Sequence, residues 1–351
     1  MRIDLRRVAT CAALILMVGI VPAARADTWQ ARVGAQGFDK GVQVLAFLPN
    51  EIWIHQGDSI TWTFAADEKH SVTFIPLNTP RPTFKTGCPP SVTTPNPATF
   101  DGTNCVNSGL INTPGTTYTV TFPNPGNYAV LCLLHVNQTG TIHVLSSAQP
   151  IPHDQEFYDR QAAIEERDLL YDRDGGVAAK LRQDSPRDRD EDGDDSSHAM
   201  HGMKIVVTGA GELAVTPGGA QSVSKMRFGR ETITIHAGQT VEWASSDVSG
   251  HSVTFGQEPP GGFGPLDPAT ASSGVLLTHD SDGALHAVLT STADSVYSGR
   301  ISPQNQERAG SNEQGPGATR FRVSFTTAGT YPYVCSYHDE LGMKGEVIVL
   351  P

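Results

Sequence analysis

Phe122-Pro-Asn-Pro-Gly-Asn-Tyr-Ala-Val-Leu-Cys132-Leu-Leu-His135 and Phe325-Thr-Thr-Ala-Gly-Thr-Tyr-Pro-Tyr-Val-Cys335-Ser-Tyr-His338 are one segment written twice in this chain. Each begins on Phe, turns at Gly, runs through Tyr and closes on Cys-x-x-His. Upstream, Ile52-Trp-Ile-His-Gln-Gly-Asp-Ser-Ile-Thr-Trp62 matches Ile233-Thr-Ile-His-Ala-Gly-Gln-Thr-Val-Glu-Trp243. After each Trp comes His-Ser-Val-Thr-Phe, beginning at His70 and at His251. Motifs recurring in the same order at the same local spacing indicate a repeat of whole domains.

The matched segments alternate apolar and polar residues, are rich in β-branched and aromatic side chains, and turn at Gly. That period is the one of half-buried strands. Strands are expected at 42–47, 59–64, 71–75, 117–122, 126–132 and 140–145 in the first unit. The second should have them at 204–208, 232–236, 240–244, 252–255, 320–325, 330–335 and 345–350. Many short strands per unit predict an all-β chain of two tandem Greek-key sandwiches. Long insertions interrupt both units, at 76–115 and 257–317. Trp62 and Trp243 read as core, and His55 and His236 as strand-end residues beside turn glycines.

Between the units the composition changes. Residues 160–171 have the pattern of an amphipathic helix, and Asp184 to Asp195 is a charged run that cannot bury a core. The expected organisation is an export signal at 1–26, a first β-domain at 27–150, a helix plus acidic linker at 151–203, and a second β-domain at 204–351. The signal reading rests on Arg2, Arg6 and Arg7, an apolar run from Val8 to Val21, and Ala24-Arg25-Ala26 as a small-x-small cleavage pattern. The alternative is an uncleaved anchor, for which the run is short. Arg6-Arg7 leaves the general and twin-arginine export routes both open. The expected location is periplasmic or secreted, with no stable membrane insertion after cleavage.

The formal net charge is −12, and removing a signal of net +3 (Arg2, Arg6, Arg7 and Arg25 against Asp4) leaves −15. An acidic chain is a poor partner for nucleic acid. Of five cysteines, Cys11 leaves with the signal. Cys88 and Cys105 flank a Pro-rich loop and can pair in an oxidising compartment. That leaves Cys132 and Cys335, one in each repeat.

Two imidazoles and one thiolate are the trigonal donor set of a mononuclear type 1 (blue) copper site. His70, Cys132 and His135 supply it in the first unit, and His251, Cys335 and His338 in the second. Cys and the second His share one loop, three residues apart, while the first His comes from a different strand. The fourth position distinguishes the units. Met343 precedes Gly345 and a final strand in the second. Gln138 falls at the corresponding place before Gly140 in the first, which contains no methionine. An amide oxygen favours Cu(II) more than a thioether does, so the first centre is expected at the lower potential.

Both units resemble the plastocyanin/azurin family of cupredoxins. Cys335-x-x-His338-x-x-x-x-Met343 is similar to the plastocyanin ligand loop, and Gln138 resembles the axial variant of stellacyanin. The resemblance covers most of 42–145 and 204–350. It implies two coppers per chain and single-electron transfer between redox partner proteins. Multicopper oxidases and copper nitrite reductases resemble each other in placing His beside the copper-ligating Cys. Here the neighbours are Leu131 and Leu133, and Val334 and Ser336, and no His-x-His pair occurs. An electron carrier rather than an enzyme is therefore expected. A copper sequestration or delivery role has its own motif, His198-Ala-Met200-His201-Gly-Met203, whose imidazoles and thioethers suit an accessory copper site.

Overall fold

The computed structural model describes residues 26–81, 88, 93–171, 205–247, 249–259, 274–303 and 318–351. The export segment, the acidic run and the His198–Met203 motif lie outside the described residues.

Each unit is a two-layer β-sandwich. In the first, Thr28–Gln36, Val42–Leu48, Ser59–Phe64, Ala98–Thr99 and Thr117–Thr121 lie in one layer. Glu51–His55, Thr73–Phe74, Val106–Asn107, Gly126–Leu131 and Thr139–Leu145 form the other. The second unit repeats the plan. Ile205–Val215, Ser222–Phe228, Thr240–Ala244, Leu285–Leu289 and Arg320–Phe325 stand against Thr232–His236, Thr254–Phe255, Val296–Tyr297, Gly329–Val334 and Lys344–Leu350. Period-two alternation decides which side chains face inward. Along Ser59–Phe64, Ile60, Trp62 and Phe64 are buried while the residues between them are half-exposed. Trp62 packs on Phe74 and Trp243 on Phe255, both at a ring separation of 5.7 Å, so the tryptophans are core residues.

The sandwiches are joined more closely than a linker requires. Val42–Leu48 pairs antiparallel with Ser222–Phe228, Val44 opposite Val223 and Gln43 opposite Ser224. One layer from each unit thereby fuses into an eleven-stranded sheet. Helix Gln155–Tyr171 lies over the seam. Asp154 caps it by accepting from the Phe157 N–H at 2.9 Å, the usual way of satisfying a first-turn donor. Ala162, Leu169 and Leu170 pack with Ala35, Val44, Ala46 and Leu48 of the first unit and Ala214 and Val223 of the second. Glu165 accepts from the Asn50 N–H at 2.9 Å and from Gln221 Nε2 at 3.1 Å, touching both units.

Several elements depart from the sequence expectation. Thr28–Gln36 and Ser222–Phe228 were not expected, and the former is broken by a bulge that spoils its alternation. Ile205–Val215 runs well beyond the expected 204–208. The second insertion contributes Leu285–Leu289 and Val296–Tyr297 to the two layers. His55 and His236 lie at strand ends as expected, facing the Gln149 carbonyl at 2.7 Å and the Pro351 carbonyl at 3.0 Å.

Candidate metal centres

Each centre is assembled by the end of a sandwich. In the first unit the Gly126–Leu131 strand delivers Cys132 to the core boundary. The loop then turns back, with the Cys132 N–H donating to the Gln138 carbonyl at 3.0 Å. Arg81 donates to the carbonyls of Cys132, Val136 and His135 (2.5, 2.9 and 3.0 Å), holding the loop from outside. In the second unit the Cys335 N–H donates to the Met343 carbonyl at 3.0 Å, and a short 3-10 turn, Asp339–Leu341, occupies the extra residues.

The upstream histidines arrive across the sheet. The His70 N–H donates to the Ile111 carbonyl at 3.0 Å and the His251 N–H to the Ile301 carbonyl at 3.1 Å. Room for their rings comes from a bulge in each first strand. The register shifts between Val33 and Ala35, and between Ala210 and Glu212. Gly34 and Gly211 sit there at φ +70° and +75°, a backbone region that glycine enters freely. A Cβ on Gly34 would lie 2.5 Å from His70 Nε2, and one on Gly211 would collide with the His251 ring.

The donor atoms converge in both units. His70, Cys132 and His135 bring one ligand atom each within 4.8 Å of one another, as do His251, Cys335 and His338. Among the described residues these are the two such groups, and all six side chains are buried. Cys132 Sγ lies 3.6 Å from His135 Nδ1, which lies 3.2 Å from His70 Nδ1. In the second unit Cys335 Sγ is 3.5 Å from His338 Nδ1, itself 3.1 Å from His251 Nδ1. Two ring nitrogens and a sulfur facing one point, sealed from water, form a site that a single soft-to-borderline cation fits.

Both sulfurs are prepared as thiolates. Burial opposes the charge, but the imidazole of His135, helped by His70, draws the Cys132 thiol well below its ordinary value. At Cys335, burial is likewise outweighed by His338 and His251. Each sulfur also accepts a backbone N–H, from Ser71 at 3.4 Å and from Ser252 at 3.3 Å.

The axial candidates are placed differently. Gln138 is fully buried, and its Nε2 donates to the Ala46 carbonyl at 3.2 Å. That bond turns Oε1 inward, 2.8 Å from His70 Nδ1 and 3.1 Å from His135 Nδ1. Met343 is fully buried in the second core, its N–H donating to the His338 carbonyl at 3.1 Å. Cys88 and Cys105 are bridged, with Cα atoms 5.9 Å apart.

Copper-binding proteins of the plastocyanin/azurin family match the chain over residues 35–145 and 215–350. The chain belongs to that family. Copper is accordingly the metal of this cupredoxin, with one His/Cys/His group in each unit. Solved structures that resemble it include an oxidised methionine-to-lysine variant of amicyanin, 15% identical, covering 34% of this chain and 82% of that one at a TM-score of 0.23. A copper(I) form of a methionine-to-glutamine amicyanin variant is 18% identical, covering 42% and 82%, at 0.22. No curated protein matches the chain by sequence.

Two acidic residues beside the cupredoxin centres were not singled out in the sequence. Asp247 lies beside His251, and Glu68 lies between His135 and His338. Their only linear signal is position, four and two residues before the upstream histidine of their own unit.

Proposed function

We propose that this cupredoxin is an exported one-electron carrier with two type 1 copper centres. The first is ligated by His70, Cys132 and His135 with Gln138 axial, the second by His251, Cys335 and His338 with Met343 axial. The observation that carries the reading is the convergence of two buried imidazole Nδ1 atoms and a buried cysteine sulfur in each unit. When bound, copper supplies the one-electron couple. The chain's own work is to hold the donors in one geometry, through the sheet behind the upstream histidine and the hydrogen-bonded loop behind the Cys and second His. A close-packed core resists rearrangement between oxidation states.

The axial difference supports a direction. The Gln138 amide oxygen is held inward by Ala46 and favours Cu(II), whereas a thioether favours Cu(I). Electrons would therefore move from the first centre to the second. The described helix is not long and apolar enough to cross a membrane, and the Cys88–Cys105 bridge suits an oxidising compartment. The donor and acceptor would be redox proteins outside the cytoplasm.

The test is copper stoichiometry with the visible spectrum of the mature chain and of Cys132→Ser and Cys335→Ser. Two coppers, and a thiolate charge-transfer band that loses a distinct component in each variant, support the proposal. A chain with no such band is not a type 1 carrier.

A further inference from the structure

The second histidine of each centre uses Nδ1 toward the metal position, leaving Nε2 on the far edge of the ring. One side chain, Glu68 of the first unit, meets that edge in both. Glu68 Oε1 lies 3.4 Å from His135 Nε2, and Glu68 Oε2 lies 3.5 Å from His338 Nε2. All three side chains are at least nine-tenths buried. These are ion-pair distances, longer than an ordinary N–H···O hydrogen bond. His135 Nε2 is fully buried and has no hydrogen-bond partner among the described residues, so the Glu68 carboxylate meets it as an ion-pair contact.

We propose that the Glu68 carboxylate is the electronic bridge between the two centres, so that the chain works as an intramolecular two-site relay. This rests on the two-centre reading given above. The continuous route runs from the His135 ring through its Nε2–H to one carboxylate oxygen, across the carboxylate carbon to the other oxygen, and through the His338 Nε2–H into that ring. One electron leaves the first centre, which goes from cuprous to cupric, and enters the second, which goes from cupric to cuprous. No bond forms or breaks, and both Nε2 protons stay on their rings. A histidine that binds metal through one nitrogen commonly donates its other N–H to a carboxylate, which fixes ring orientation. Here a single carboxylate serves two such histidines. The equivalent position in the second unit is Ser249, so the bridge is supplied from one side only.

The experiment is to reduce the two-copper protein rapidly with a substoichiometric one-electron reductant and follow equilibration between the two charge-transfer bands. Glu68→Gln, which has one acceptor oxygen, is expected to slow that exchange, with both bands intact at saturating copper. Glu68→Asp keeps the charge but shortens the reach, and is expected to slow it as well. Dipolar coupling between the two cupric spins should be the same in all three proteins. An unchanged rate in Glu68→Gln, or a wild-type rate in Glu68→Asp, would overturn the bridge while leaving two carriers in one chain. A wild-type protein with one copper, or without a thiolate band, defeats the two-centre reading and the bridge with it. Should neither variant fold, nitrogen-15 spectra of the metal-free and cuprous wild type decide. The His135 and His338 Nε2–H protons must be present and protected from exchange, and free exchange at either overturns the proposal.

Discussion

Asp247 sets its Oδ2 3.3 Å from Nε2 of His251, four residues on, and neither side chain reaches solvent. Burial opposes the Asp247 charge, yet His251, Ser224 and the Ser249 N–H together hold the carboxyl below its ordinary value. The first unit has Ala66 at the matching place. A carboxylate behind a ligand histidine makes the imidazole a stronger donor and favours the cupric state. Asp247→Asn is therefore expected to raise the potential of the second centre and leave the first alone. Each tenfold loss of preference for Cu(II) corresponds to about 59 mV. Spectroelectrochemical titration of the two bands checks this, and a downward shift would contradict it.

The same reasoning bears on the order of the two potentials. On the proposed ligation Gln138 would lower the first, while Asp247 would lower the second and narrow the gap. Gln138→Met should raise the first potential and leave the second unchanged. If the first potential stays put, the inward-turned amide is not ligating the metal.

Gly34 and Gly211 make room for the upstream histidines, and both have φ values that a side chain adopts only at a cost of about 1–3 kcal/mol. Gly211→Ala is expected to displace His251 and bring copper to one per chain, with the first band retained. Metal analysis and the spectrum test this, and full occupancy with both bands would refute it.

Leu169 belongs to a core that draws on both units through the helix Gln155–Tyr171. Leu169→Ala should cost about 2–5 kcal/mol, the usual range for emptying a buried leucine site. It should also separate the unfolding of the two units, read as a split calorimetric transition in the metal-free protein.

Asp282 accepts from Arg322 and Arg320, which hold its carboxyl far below its ordinary value. A carboxyl depressed on folding stabilises the native state above its unfolded value. That contribution is lost as pH falls from about 4 toward the folded value. Asp282→Asn should flatten the acid limb of stability against pH, measured by denaturant unfolding of the second unit. An acid limb as steep as the wild type's would show that the pair contributes nothing there.

Much of the fold and of each candidate site was legible because it is local. Cys-x-x-His, the axial position and His-Ser-Val-Thr-Phe are short motifs, and their duplication made each copy evidence for the other. Alternating burial in Ser59–Phe64 was equally plain. The strand Thr28–Gln36 was not, because the Gly34 bulge breaks its period. Nor was Leu285–Leu289, a short run inside a polar insertion. Glu68 was illegible for a different reason. Its role depends on His338, 270 positions away, and on a pairing between units that no repeat pattern specifies. The seam strand Ser222–Phe228 was missed because polar Ser222 and Ser224 are buried beside Val223, which hides any apolar alternation.

The register of that seam, Val44 opposite Val223 and Gln43 opposite Ser224, carries a consequence for ancestry. The two strands hold equivalent places in their sandwiches and cross antiparallel, so the junction has the self-complementary geometry of a twofold homodimer. A single ancestral sandwich would have shown a bare sheet edge there, and edges of that kind seek a copy of themselves. Fusion of two such copies would have locked the dimer in one polypeptide and freed the halves to diverge: an amide here, a thioether there, and an acid retained on one side alone.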